Sequence, residues 1–79
     1  MNIKTEIDVA TLKDTIIRKN TTLEALAFEM GIARSTLYRK LRKGSAGITL
    51  KDATTIASCL ELSEGEAVDI FGGSYVAYM

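Results

Sequence analysis

Leu23-Glu24-Ala25-Leu26-Ala27-Phe28-Glu29-Met30-Gly31-Ile32-Ala33-Arg34-Ser35-Thr36-Leu37 is the stretch of this 79-residue chain that decides its fold. Leu23, Leu26, Ala27 and Met30 share one side of a short helix at spacings of three and four. Gly31 stops that helix where the backbone enters the left-handed region, which glycine occupies without steric cost. A second helix begins near Ala33 and packs through Leu37 and Leu41. Two helices joined by so few residues must cross steeply. Ala27 is small where they approach most closely, and Ile32 and Leu37 fill the angle between them. The side of the second helix left exposed carries hydroxyl and cationic residues.

Working outward, apolar periodicity and end signals place three more helices. One runs from about Val9 to Lys19, with Asp8 as its N-cap, Val9, Leu12 and Ile16 as its buried side and Asn20 at its exit. Thr21 and Glu24 have the spacing of a capping box for the helix that follows. The helix from Ala33 ends at Gly44, after Arg42 and Lys43 in a last turn where the macrodipole favours positive charge. Ser45-Ala46-Gly47 reads as a loop. Thr49 and Asp52 resemble another cap, ahead of a stripe of Leu50, Ala53, Ile56, Ala57 and Leu60. Ser63 and Glu66 form a third capping box, opening a short helix through Ala67, Ile70 and Phe71 that Gly72-Gly73 ends. Phe28 and Phe71 are expected in the core, and Cys59 is expected to pack rather than react.

The ends differ from this helical middle. Ile3, Thr5 and Ile7 alternate with Lys4 and Glu6, and Tyr75, Ala77 and Met79 alternate with Val76 and Tyr78. Period-two patterns rich in β-formers suggest short terminal strands, paired with each other, although terminal segments of this length also fray. The fold class expected is mainly α: one compact domain over residues 1–79, built of five helices with optional short terminal β-strands. With no proline, repeat or linker, there is no internal boundary. A domain this small buries only about 60% of its unfolded surface, so modest stability is expected.

Formal net charge is zero, but the charges are segregated. Between Met30 and Lys51 lie six basic residues (Arg34, Arg39, Lys40, Arg42, Lys43 and Lys51) and no acid. From Asp52 to Met79 there are five acids (Asp52, Glu61, Glu64, Glu66 and Asp69) and no base. A polyanion responds to the local field rather than to the total.

The ordered set Leu26-Ala27, Met30-Gly31-Ile32 and Leu37 resembles the helix-turn-helix of lambda-repressor-like proteins, above all the small phage Cro-type regulators. Thr49-Leu50, Ile56-Ala57 and Leu60-Glu61-Leu62-Ser63 look like that family's fourth and fifth helices, so the resemblance spans roughly Leu12 to Phe71. Two positions depart from it. Ala33 stands where a capping Ser, Thr or Asn is commoner, and the anchor after Leu37 falls at Leu41 rather than at Lys40. The resemblance implies sequence-specific binding of double-stranded operator DNA by a transcriptional regulator. Its helix-turn-helix would span about residues 22–43, with the recognition helix from about Ala33 to Lys43 in the major groove. It puts Arg34, Ser35, Tyr38 and Arg39 near base edges, the arginines suiting guanine O6 and N7. Arg42, Lys43 and Lys40 would meet phosphates, and Thr22 with the first amides of its helix would hold another.

Proteins of this class usually bind as dimers, so a homodimer is expected at least on DNA, with the tail of residues 74–79 as a candidate contact. The alternative partner is another repressor protein, with this chain as an antirepressor or interaction module; the neutral total and the acidic C-terminal third favour it. No enzyme is expected: there is no histidine, and a single cysteine with scattered carboxylates builds no zinc cluster. No cofactor, metal or membrane partner is expected either. One cysteine excludes an internal disulfide, no apolar run reaches the roughly 20 residues of a membrane span, and no secretory pattern is present. The expected location is the cytoplasm of a bacterial host, on the nucleoid when DNA-bound.

Overall fold

Four of the first five helices begin where a short polar side chain takes over an orphan backbone amide. The computed structural model describes residues 7–78. Asp8 opens α1 (Val9–Arg18) and accepts from the Thr11 amide at 3.0 Å. Thr22 opens α2 (Leu23–Met30) through the Ala25 amide. Thr49 opens α4 (Leu50–Cys59) and Ser63 opens α5 (Glu64–Phe71), each in a reciprocal capping box with Asp52 and Glu66. The exception is α3 (Arg34–Arg42), whose N-cap Ala33 has the extended backbone of a cap but offers no side-chain acceptor. A single 3-10 turn, Gly44–Ala46, follows α3, and α6 (Gly73–Tyr78) closes the described chain.

Three of the turns share one backbone device. Asn20, Gly31 and Glu61 have φ of 57°, 73° and 51°. In each case the next residue's amide reaches back five positions: Thr21 to the Ile16 carbonyl, Ile32 to Ala27 and Leu62 to Ala57, at 2.9 to 3.1 Å. These bonds satisfy carbonyls that a helix end leaves open. The residue after that is the next helix's N-cap. The chain thus passes from one helix into the next in three or four residues at the α1–α2, α2–α3 and α4–α5 junctions.

The amphipathic helices close around one core. Leu12 and Ile16 come from α1, Leu26 and Ala27 from α2, and Leu37 and Leu41 from α3. From α4 come Ala53 and Ile56, with Leu60 just after it, and from α5 come Ala67, Ile70 and Phe71. Phe71 is fully buried, so its loss should cost about 3–5 kcal/mol, a large part of the stability of a domain this small. Ile7 is buried as well, and the Asp8 amide donates to the Ile70 carbonyl at 2.8 Å, fastening the entry of α1 to α5. The one buried polar residue among those described, Thr15, donates to the Thr11 carbonyl and accepts from Arg18, so it leaves no unmet hydrogen bond.

The fold is mainly helical, as the sequence implies, with several corrections of detail. The alternating tail is not a strand: α6 occupies residues 73–78 and packs against α5 and α4, with Val76 against the core. Gly72, at φ 85° and ψ 159°, redirects the chain so that a new helix starts at Gly73 instead of the old one simply ending. No strand occurs among the described residues; the N-terminal alternation, Ile7 apart, lies outside them. Thr21 does not cap α2. Its amide is spent on the Ile16 carbonyl, so Thr22 becomes the cap and Glu24 falls one position short of a capping box. Phe28 is not in the core but 85% exposed, because it sits about 200° around α2 from buried Leu26. Leu50, in the first turn of α4, stays on the surface, and Ala57 is half-buried.

Candidate nucleic-acid interface

Leu37 and Leu41 turn one side of α3 fully into the core, and this fixes where everything else on the helix points. Arg34, Ser35, Arg39, Arg42 and Lys43 are exposed. Tyr38 is 42% exposed, with its remaining surface packed. Among the described residues, no carboxylate lies within ion-pair distance of Arg39, Arg42 or Lys43. Arg39, Lys40 and Arg42 occupy the last turn, where the helix macrodipole stabilises positive charge. The result is an exposed cationic group of Arg39, Arg42 and Lys43 on α3.

Two of the expected contacts are already engaged within the protein. Arg34 opens α3, and its Nη1 donates to Oε2 of Glu24, on the first turn of α2, at 3.0 Å. Both side chains are largely exposed, 59% for arginine and 71% for glutamate. Lys40 is turned the other way. Its ammonium lies 3.0 Å from Oδ2 of Asp52, with both side chains mostly covered. That same oxygen accepts the Thr49 amide at 3.1 Å, so Lys40 completes the capping box of α4 and does not stand with Arg42 and Lys43. Burial alone would raise the Asp52 pKa, but the Thr49 amide and the Lys40 ammonium outweigh it and hold the carboxyl below the usual range.

Thr22 accepts the Ala25 amide at 3.0 Å, which leaves its hydroxyl proton free to donate at the exposed N-terminus of α2. That end of α2 borders a shallow apolar groove lined also by Lys13, Ile16, Ile17, Leu23 and Tyr38. A second groove beside it brings together Val9, Lys13, Tyr38, Leu41 and Arg42. Lys13 therefore joins the cationic surface from α1. Lys13 lies far from the basic stretch in sequence, and only the approach of α1 to α3 brings it there. Thr22, Tyr38, Arg42 and Lys13 form one connected surface, Arg34 and Ser35 lie at the start of α3, and Lys40 is apart from them.

Other chemistry finds little footing. Cys59 is half-buried, and burial together with the nearby Glu29 carboxylate pushes its thiol pKa up, away from nucleophilic reactivity. Among the described residues, no group of histidine, cysteine or carboxylate ligands is arranged to hold a metal ion. Among the described residues, no helix is long and apolar enough to cross a membrane. Compared with family models, with curated proteins and with solved structures, the chain matches none.

Proposed function

We propose that this protein is a sequence-specific double-stranded DNA-binding regulator of the Cro type, acting as a repressor with α3 as its recognition helix. The observation that carries the reading is the exposed cationic face of α3, free of carboxylate partners at Arg39, Arg42 and Lys43 among the described residues and joined to α2 by a left-handed glycine turn. A helix with one face exposed in this way has the diameter to enter a major groove. In this reading Arg34, Ser35, Tyr38 and Arg39 face base edges, and Arg42 and Lys43 with Thr22 and Lys13 face phosphates. Lys40 contributes through Asp52 to the fold instead. The site calls for neither catalysis nor a cofactor, and its place would be the cytoplasm of a bacterial cell.

One short helix reads too few base pairs to find an operator, so we further propose that two copies bind together. They cannot pair through an edge strand in the tail, since α6 is helical and packs on its own domain. The test is a mobility shift of mixed-sequence duplex at a series of salt concentrations. Affinity should fall steeply with salt through counterion release, and Arg42→Ala or Lys43→Ala should each make that slope shallower by about one charge. A salt-independent interaction, or none, overturns the reading. One observation favours a protein partner instead, as for an antirepressor: Phe28 stands almost fully exposed on α2. If the protein fails to shift DNA but removes a repressor from its operator, and Phe28→Ser abolishes that, the second reading replaces the first.

A further inference from the structure

The ion pair between Glu24 and Arg34 spans the helix-turn-helix corner, and among the described residues it is the one ion pair of a candidate base-reading side chain with another helix. Its energetics make it a poor stability device. Both partners are mostly solvated, and exposed pairs of this kind add little to folding. Its geometry is more informative. Arg34 is the first residue of α3, where a long flexible side chain would otherwise sample many rotamers. Glu24, on the first turn of α2, engages only Nη1. A guanidinium has five N–H donors, so an edge with two donors remains for another acceptor pair.

We infer that Glu24 is a specificity-determining positioning residue for Arg34. The inference rests on the DNA-binding reading and names what the start of α3 selects: a guanine, presented to an arginine already oriented. Two effects act together. Fixing Arg34 in advance removes rotamer entropy that would otherwise be lost on contact, which favours the bidentate bond to guanine O6 and N7. The carboxylate also penalises every other register. Where Arg34 finds no guanine it stays paired with Glu24, and no base contact offsets the repulsion between the carboxylate and the phosphates. Glu24 thus lowers affinity for non-cognate duplex while sharpening choice at one base pair. A glutamate with a merely structural role would do neither.

The experiment enriches a random-sequence duplex pool with the native protein and repeats the enrichment with Glu24→Gln and Arg34→Ala. Native protein should show a guanine at one position that Arg34→Ala loses. Glu24→Gln should weaken preference at that same position by about 3- to 10-fold, part of what a full bidentate contact gives, and should bind mixed-sequence duplex more tightly than native. Its thermal midpoint should move by no more than about 2 °C, separating the effect from folding. If Glu24→Gln leaves that base preference and the mixed-sequence affinity unchanged while Arg34→Ala alters the former, Glu24 plays no such part. If Arg34→Ala leaves every preference intact, Arg34 reads no base and the inference falls with it. If native protein enriches nothing and binds no duplex, the inference falls together with the function it rests on.

Discussion

Lys40 and Asp52 meet across the loop that joins α3 to α4, at 3.0 Å, with less than a third of either side chain exposed. The cation that linear sequence puts in the middle of a basic run is thereby withdrawn from the exposed face. It acts on the next helix, whose cap Asp52 also completes. Replacing Lys40 by methionine should therefore lower folding stability by about 1 kcal/mol, because the carboxylate keeps only its backbone donor. DNA affinity should change far less than for Arg42→Ala. Parallel denaturant melts and mobility shifts on the same three proteins measure both effects.

Stability should also depend on pH through the caps. Asp8, Asp52 and Glu66 all have carboxyl pKa values below the ordinary range. In Asp8 and Glu66 the leading cause is a backbone amide, from Thr11 and Ser63, and in Asp52 amide and ammonium overcome burial. A group depressed in the folded state stabilises it fully above the unfolded value, near about 4 for these side chains. That contribution drains away as pH falls from there through the folded value. Urea midpoints should be flat from about pH 7 to 5 and then decline, and Asp52→Asn should be lower at neutral pH with a shallower acid decline.

Ala33 is the open opportunity. Its φ of −69° and ψ of 148° already match the cap geometry of Thr49 and Ser63, and only the side-chain acceptor is lacking. Ala33→Ser should supply a bond to the amide three residues on and stabilise the protein by about 0.5–1 kcal/mol in thermal or urea melts. A neutral result would mean that the α3 amides already have a partner as good as a hydroxyl.

Two glycines should fail for different reasons. Gly31 has φ of 73° but open space where a Cβ would go, so only the backbone objects. Gly31→Asn should be mild, since asparagine tolerates that region, while Gly31→Val should cost about 1–3 kcal/mol. Gly47 has an ordinary φ, yet a Cβ there would collide with the Lys40 carbonyl oxygen and crowd the Lys43 side chain. Gly47→Ala should cost a similar amount through displaced backbone. Thermal melts of the set would separate strain from lack of room.

Much of the helical frame is legible in the sequence because it is written in local signals. Asp8, Thr49 and Ser63 are caps, Gly31 is left-handed, and Leu12, Leu26, Leu37, Ile56 and Phe71 are buried. Periodicity also excludes Phe28 from the core, since its position on α2 faces away from Leu26 whatever its residue type. The cap of α2 is not legible from spacing alone, because Asn20 takes the left-handed turn and puts the cap at Thr22. Period two over six residues is a weak signal in the tail, where Gly72 redirects the chain and Val76 packs against the core from a helix. Within the candidate site, exposure along α3 could be read from Leu37 and Leu41. The partners of Arg34 and Lys40, and the approach of Lys13, depend on tertiary distances that no spacing encodes.

The corner device repeated at Asn20, Gly31 and Glu61 bears finally on how fast the chain can assemble. Each corner closes a bond over only five residues and caps the next helix two positions after the left-handed residue. Ordering one helix pair thus demands almost no loop closure, and chains dominated by such near-neighbour contacts fold in microseconds to milliseconds. The sequence holds no proline, so no slow isomerisation stands in the way. A domain built like this folds almost as soon as the ribosome releases it, so its active concentration follows synthesis rather than refolding.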